Sequence, residues 1–122
     1  MTTIHPDSYR AAAERYEQLF KQPLEKMIKQ EFSGRSEFSF LLAHYYLIDP
    51  IEAVAYVLYR SMKGLGTNTR MLINSTVLFY DKFKGDAIRV AYQKFGDLKA
   101  DFRGDLSGLL EYAILTLWRL AE

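Results

Sequence analysis

The chain has 122 residues, of which 49% are hydrophobic and 25% are charged, and its formal net charge is +1. This apolar content excludes an intrinsically disordered chain and indicates one ordinary folded domain. The sequence contains no cysteine, which excludes disulfides, iron–sulfur clusters, thiolate zinc sites and a cysteine nucleophile. Its 16 basic residues are balanced by 15 acidic ones, so the basic excess typical of nucleic-acid binders is missing and we expect no nucleic-acid partner.

The sequence shows neither a membrane-spanning segment nor a secretory signal. The apolar runs are all shorter than a membrane-spanning helix requires. Residues 1–7 are polar and do not form the apolar core of a secretory signal peptide. We therefore expect a cytoplasmic protein.

The first part of the chain predicts three helices. Apolar residues recur at three- and four-residue steps between Tyr9 and Phe20, which is the spacing of one helical face. Pro23 suits the first turn of a second helix, because its fixed backbone angle is already helical. The Ser-Gly pair at 33–34 interrupts that helix, and a third apolar stripe then runs to Tyr45.

The next two helices have clear start and stop signals. Asp49 followed by Pro50 is typical of a helix start, with an N-cap residue and a proline at the first helical position. Gly64 ends that helix, as glycine often does just past a helix C-terminus. Either Thr67 or Asn68 can cap the helix that follows.

Three more helices complete the chain, so the sequence predicts an all-α bundle of eight helices. The segment 84–86 marks either a break or the start of a helix, Gly96 ends that helix, and a short helix follows over 97–103. The last helix runs over 109–120. The residues expected on its inner side are Tyr112, Leu115 and Trp118.

An internal repeat relates the two parts of the chain, because residues 24–41 match residues 98–115 at a constant offset of 74. The match keeps a helix, an acidic residue, a Ser-Gly turn and a second helix in register. The matching pairs include Leu24 with Leu98, Glu31 with Asp105, Ser33-Gly34 with Ser107-Gly108, Glu37 with Glu111, and Leu41 with Leu115. The chain therefore reads as the back part of one repeat followed by a complete repeat.

Two features of the complete repeat resemble the annexin family. The hexapeptide Met-Lys-Gly-Leu-Gly-Thr at 62–67 lies between two predicted helices, and Asp105 precedes a Ser-Gly pair near the end of the repeat. In annexins such a loop joins the first two of five helices, and a carboxylate follows the fourth. The resemblance implies an annexin-like helical bundle in a single domain, 1–122. A partial repeat of about three helices, about 9–46, precedes a complete five-helix repeat, about 49–121.

The resemblance also implies a calcium site, formed by the backbone carbonyls of Met62, Gly64 and Gly66 and the carboxylate of Asp105. Calcium takes about six to eight oxygen ligands, and the last carbonyls of a helix lack partners within it. A single carboxylate leaves the ion with excess positive charge, which favours an anionic phospholipid headgroup as a further ligand. We therefore expect a calcium-dependent phospholipid-binding module that acts peripherally on membranes and is not an enzyme.

A second interpretation of the same loop needs no metal. Gly-x-Gly-Thr between two helices is also a good C-cap followed by an N-cap. The chain departs from the family where Asn68-Thr69 stands in place of an acid that often follows the loop. The alternative is therefore an annexin-like protein-interaction or cytoskeletal scaffold that does not use calcium.

The partial repeat raises the question of self-association. Glu31 occupies the position that Asp105 has in the complete repeat, but no glycine loop in the chain accompanies it. The helices of 9–46 are expected to expose apolar surface that further helices cover in a complete repeat. Three interpretations stay open: a second copy covers this surface in a dimer or a swapped assembly, the helices around 11–16 pack differently, or the chain is a piece of a longer protein. The expected partner under the first is a homo-oligomer.

Overall fold

The computed structural model describes residues 5–63 and 68–120, and within these ranges it contains eight α-helices and no strand. The all-α prediction is therefore confirmed for the described residues. The helices are α1 (Pro6–Phe20), α2 (Leu24–Glu31), α3 (Gly34–Ile48), α4 (Pro50–Met62), α5 (Thr69–Phe79), α6 (Gly85–Tyr92), α7 (Leu98–Asp105) and α8 (Gly108–Leu117). The chain divides into two compact units, residues 1–53 and residues 54–122.

The first unit is built from α1, α2 and α3, which pack against one another. The His5 side chain caps α1 by accepting a hydrogen bond from the backbone of Asp7, and Lys21 ends the helix in the left-handed conformation. The Tyr9 hydroxyl lies 2.7 Å from Nδ1 of His44, which joins α1 to α3. The Tyr45 hydroxyl donates to the Glu25 carboxylate and joins α3 to α2.

Apolar side chains of the first unit remain in contact with solvent. No described residue of α1 is buried, and its last two apolar residues, Leu19 and Phe20, are 59% and 63% exposed. Phe32 and Phe40 are also exposed, and their rings contact each other with centroids 4.5 Å apart. The apolar surface expected over 9–46 is therefore present.

The second unit has a core of large side chains that are almost completely buried. The indole Nε1 of Trp118, just after α8, donates to Oγ1 of Thr76 near the end of α5 at 3.0 Å. This contact joins the C-terminal ends of α5 and α8, which pack against each other. The core side chains with no exposed surface include Leu58, Leu72, Ile88, Tyr92, Leu98, Phe102 and Trp118.

The predicted inner side of the last helix is wrong for one residue. Leu115 and Trp118 are buried, but the Tyr112 side chain is 66% exposed. The buried stripe is formed by Ile114, Leu115 and Trp118, and Tyr112 lies about 110° around the helix from the centre of that stripe. The helix also ends at Leu117 rather than at residue 120.

The internal repeat is reproduced in the backbone. Helices α2 and α7 begin and end at the same offset of 74 residues that relates their sequences. The serines that follow them have matching extended angles, with φ of −142° at Ser33 and −149° at Ser107. Gly34 and Gly108 both have positive φ, 59° and 61°. Since nothing lies within 4 Å of a Cβ at either position, backbone conformation explains the glycine there.

Two helical glycines of the second unit provide a direct test of its packing. A Cβ at Gly85 would overlap the backbone carbonyl oxygen of Trp118, whereas a Cβ at Gly104 would meet nothing within 4 Å. We expect Gly85→Ala to lower the free energy of unfolding by about 2 kcal/mol or more, because backbone cannot move aside cheaply. Gly104→Ala should raise it by about 0.5–1 kcal/mol, since alanine favours the helix. Urea denaturation of both variants checks this, and equal effects would contradict the packing described.

Candidate calcium site

The base of the predicted calcium loop lies between α4 and α5. Met62 is the last residue of α4 and its side chain is buried. The backbone N–H of Asn68 donates to the carbonyl oxygen of Ser61 at 2.6 Å, which brings the two ends of the loop together. Gly64 and Gly66 lie outside the described residues.

Asn68 is the N-cap of the helix that follows the loop. Its side-chain oxygen accepts a hydrogen bond from the backbone N–H of Met71 at 3.1 Å. Of the two predicted caps, Asn68 therefore performs this role. The neutral residue that stands where an acid often follows the loop thus stabilises the start of α5.

Asp105, the predicted carboxylate ligand, is the last residue of α7. The helix continues two residues beyond its predicted end, so this carboxylate belongs to the helix and not to the turn after it. The Asp105 side chain is exposed, and the next residue, Leu106, is buried in an extended conformation. The burial of Leu106 holds the backbone, while the carboxylate remains accessible to solvent ions.

A buried tyrosine links α7 with α4. The Tyr92 hydroxyl donates to Oδ2 of Asp101 in the middle of α7 at 2.7 Å, and the Tyr92 ring makes an edge contact with Tyr59 of α4, with centroids 6.4 Å apart. Tyr59 is one helical turn before Lys63, whose Nζ lies 5.7 Å from the Tyr59 ring. Tyr92 therefore contacts both the last turn of α4 and the middle of α7.

The electrostatics of Tyr92 agree with this arrangement. Burial raises the pKa of the Tyr92 hydroxyl most, and the hydrogen bond to Asp101 raises it further. The negative charges of Asp101 and Asp105 also raise this pKa, because they oppose a tyrosinate nearby. Asp105 is thus close enough to Tyr92 for its charge to act there.

Helices α5 and α8 pack against each other, and the Thr76–Trp118 hydrogen bond joins their C-terminal ends. Along the chain, Met62 lies just before the start of α5, and Asp105 lies just before the start of α8. That Met62 and Asp105 share one calcium ion stays a prediction.

The oxygen atoms of the predicted site suit a hard cation such as calcium. The C-terminus of α4 carries a partial negative charge, and the Asp105 carboxylate supplies two further oxygens. Within residues 5–63 and 68–120 no group of three or more carboxylate or histidine side chains could hold a metal ion. A calcium ion here would therefore depend on backbone carbonyls together with one carboxylate.

Tyr92, Asp101 and Tyr59 were not predicted from the sequence to belong to this region. They belong to no motif, and only the contact between α6 and α7 brings Tyr92 to Asp101. The spacing of Asp97, Asp101 and Asp105 at four-residue steps is the signal that could have identified an acidic helix face.

None of the described helices is both long enough and apolar enough to span a lipid bilayer.

The fold and the site together define an all-α repeat protein whose repeat ends in an acid and a Ser-Gly turn. A family model of the fourth repeat of annexin E1 matches residues 54–119, which is more than half of the chain. The chain belongs to the annexin family. The matched residues fall within the predicted complete repeat.

Two curated relatives illustrate the similarity. Giardin subunit alpha-8 of Giardia intestinalis is 29% identical over 119 residues, which cover 98% of this chain and 38% of that protein. Annexin A13 of Homo sapiens is 34% identical over 114 residues, which cover 91% of this chain and 34% of that protein. The chain therefore spans between a third and two fifths of the length of these relatives.

Solved structures share the same fold. The calcium-bound structure of alpha-14 giardin matches with a TM-score of 0.85 and 26% identity, over 95% of this chain and 39% of that chain. Calcium-bound annexin (Sm)1 matches with a TM-score of 0.58 and 25% identity, over 94% of this chain and 34% of that chain.

The position of Tyr92 predicts a specific pH dependence of stability. The raised pKa keeps the Tyr92 hydroxyl protonated in the folded chain, whereas a tyrosine in the unfolded chain titrates near about pH 10. The contribution of Tyr92 to the stability of the folded chain is therefore complete below about pH 10 and falls as the pH rises above that value. Tyr92→Phe should lower the free energy of unfolding by about 1–2 kcal/mol at pH 7, because the hydrogen bond to Asp101 is lost. The difference from wild type should shrink above about pH 10.

Denaturant titrations at about pH 7, 9 and 11 measure this difference. Tyr112→Phe is the matched control, because Tyr112 is 66% exposed, and its difference from wild type should not change with pH. If the difference in the free energy of unfolding between Tyr92→Phe and wild type stays constant up to about pH 11, the described environment of Tyr92 is wrong.

Proposed function

We propose that the chain binds calcium through the segment 62–67 and Asp105, and that the bound ion attaches it peripherally to an anionic phospholipid surface. The observation that carries this proposal is the hydrogen bond from Asn68 to Ser61 that closes the base of the loop, and the exposed Asp105 carboxylate at the end of α7 is available as a ligand. The calcium-bound structures of alpha-14 giardin and annexin (Sm)1 support it, because this chain shares their fold.

The chemistry of the site follows from its donors. The carbonyls of Met62, Gly64 and Gly66 and the carboxylate of Asp105 would hold the ion. Calcium, when bound, supplies a positive charge that a phosphate oxygen of a lipid headgroup can share. The chain's own part is to fix these oxygens, through the Ser61–Asn68 hydrogen bond at the loop base.

Calcium and lipid binding are coupled in this proposal. Since the protein offers one carboxylate, calcium binding in solution is weak, and headgroup oxygens that complete the shell strengthen it. By linkage, calcium strengthens lipid binding by the same factor. The proposed activity is binding without chemical conversion of the lipid, and the proposed location is the cytoplasm and the membrane surface.

Asp105→Asn tests the proposal. The substitution keeps the size of the side chain but removes its charge, so the calcium concentration needed for half-maximal binding to phosphatidylserine vesicles should rise about tenfold or more. Sedimentation with vesicles, in calcium and in chelator, measures this. Glu31→Gln is the matched control, because Glu31 ends α2 as Asp105 ends α7 and has no glycine loop in the chain.

The control variant should sediment as wild type does. If Asp105→Asn also sediments like wild type while far-ultraviolet circular dichroism shows intact helices, the assignment of Asp105 is wrong. If both variants lose binding equally, the loss does not depend on a glycine loop beside the acid, and the assignment of the site to Asp105 is wrong.

A calcium-independent interaction scaffold is the second candidate, and exposed apolar residues of the second unit favour it. Ile73, Val77 and Tyr80 form one exposed stripe along α5, and Leu109 and Tyr112 lie exposed on α8. Leu109 is 87% exposed. Such surfaces suit another protein or a second copy of this chain.

The two candidates differ in their response to calcium. A titration calorimeter should record a saturable calcium-binding heat, larger with phosphatidylserine vesicles, under the leading proposal. The scaffold predicts no saturable heat in either condition. Self-association remains a prediction, which sedimentation velocity at increasing protein concentration tests.

A further inference from the structure

A cleft lies at the C-terminal end of α5, whereas the predicted calcium loop precedes the N-terminal end of this helix. The turn after α5 and the end of α8 enclose a cleft of about 480 Å³, lined by residues 80–85 and 116–119. Helix α5 has 11 residues, so its two ends, and with them the cleft and the candidate calcium site, are about 16 Å apart along its axis.

Three cations and one acid line this cleft. The cations are Lys82, Lys84 and Arg119, and the acid is Asp81. All four side chains are exposed. Lys84 and Arg119 form no ion pair with any residue in the described part of the chain. With Asp81 counted against the three cations, the lining carries a net charge of about +2.

The backbone that carries these cations is held by hydrogen bonds. The N–H groups of Lys82 and Phe83 donate to the carbonyl of Phe79, at 3.0 and 3.3 Å. The N–H of Arg119 donates to Thr116 at 3.0 Å, and Arg119 itself has a φ of 60°. A residue other than glycine adopts this left-handed backbone conformation only where the surrounding structure holds it there. The cations therefore project from fixed positions.

The cleft lies against a tightly packed part of the core. Trp118 is completely buried and its indole is fixed by the bond to Thr76. Gly85, the first residue of α6, is buried against the Trp118 carbonyl, which a Cβ at this position would overlap. Tyr80 and Phe83 add aromatic surface to the walls. The cleft thus combines apolar walls with a few charged groups, as small-molecule sites do.

We propose that this cleft binds the phosphate group of a small hydroxylated phosphomonoester. Such a group carries a charge of about −1.5 to −2 at neutral pH, which matches the net charge of the lining. The Arg119 guanidinium can donate two parallel hydrogen bonds to phosphate, and the lysines add point charges. Asp81 can accept a hydrogen bond from a ligand hydroxyl. The volume is within the usual range of such sites.

The phosphomonoester can come from two sources. One is a soluble metabolite, and the other is the headgroup of a lipid that carries a terminal phosphate. Neither needs calcium, because the cations belong to the protein. This inference therefore stands independently of the proposed calcium-dependent function, and its experiment is done in chelator.

The test uses glycerol 3-phosphate as the soluble probe and vesicles containing phosphatidic acid as the lipid probe, both in chelator. Calorimetry measures the first and sedimentation measures the second. Lys84→Ala and Arg119→Ala should each weaken binding of the preferred probe roughly tenfold, since each removes charged hydrogen-bond donors. Lys99→Ala is the matched control, because it removes the same charge from α7, outside the cleft. It should change the affinity for the probe by less than about twofold.

Each outcome decides the proposal. Binding of glycerol 3-phosphate that depends on both cleft cations supports a soluble ligand, and binding of phosphatidic acid vesicles alone supports a lipid. The proposal is overturned if neither probe binds. It is also overturned if Lys99→Ala weakens binding as much as Lys84→Ala and Arg119→Ala do. Such a result would mean that net charge alone attracts the phosphate. Circular dichroism checks that all three variants remain folded.

Discussion

The hydrogen bond from the Trp118 indole to Thr76 is the interaction on which the arrangement of the second unit depends. Both partners are completely buried, so breaking the bond would leave a polar group without a partner in the core. The bond joins the C-terminal ends of α5 and α8. Residues that follow these two ends, within 80–85 and 116–119, line the cationic cleft.

Much of this fold can be predicted from the sequence, because the information is local. Asp49-Pro50 and the Ser-Gly pairs act within a few residues, and the helices begin or end beside them. The inward orientation of Tyr112 was predicted wrongly, because a residue at the flank of an apolar stripe faces inward only if a neighbouring helix covers it. The bond from Tyr92 to Asp101 joins two helices, and no single helical pattern contains it.

In the candidate site, too, the ligands could be predicted from local sequence, whereas the residues around them could not. Met62 and Asp105 were predicted from a short motif and an acid at repeat spacing, and the structure places Met62 at the end of α4 and Asp105 at the end of α7. Their role as calcium ligands stays a prediction. Their surroundings could not be predicted, since the raised pKa of Tyr92 depends on burial and on charges of α7. The annexin repeat thus fixes the backbone, and contacts between helices set the electrostatics around it. The chain combines this repeat with a cationic cleft whose lining residues are far from any recognised motif.

The most direct test of the calcium site is a map of backbone amide chemical shifts during a calcium titration of the wild-type chain. The site described here predicts saturable changes confined to about residues 61–68 and 103–108, where the loop and the end of α7 lie. Changes centred on the cleft formed by residues 80–85 and 116–119 would contradict it, as would a spectrum that calcium leaves unaltered.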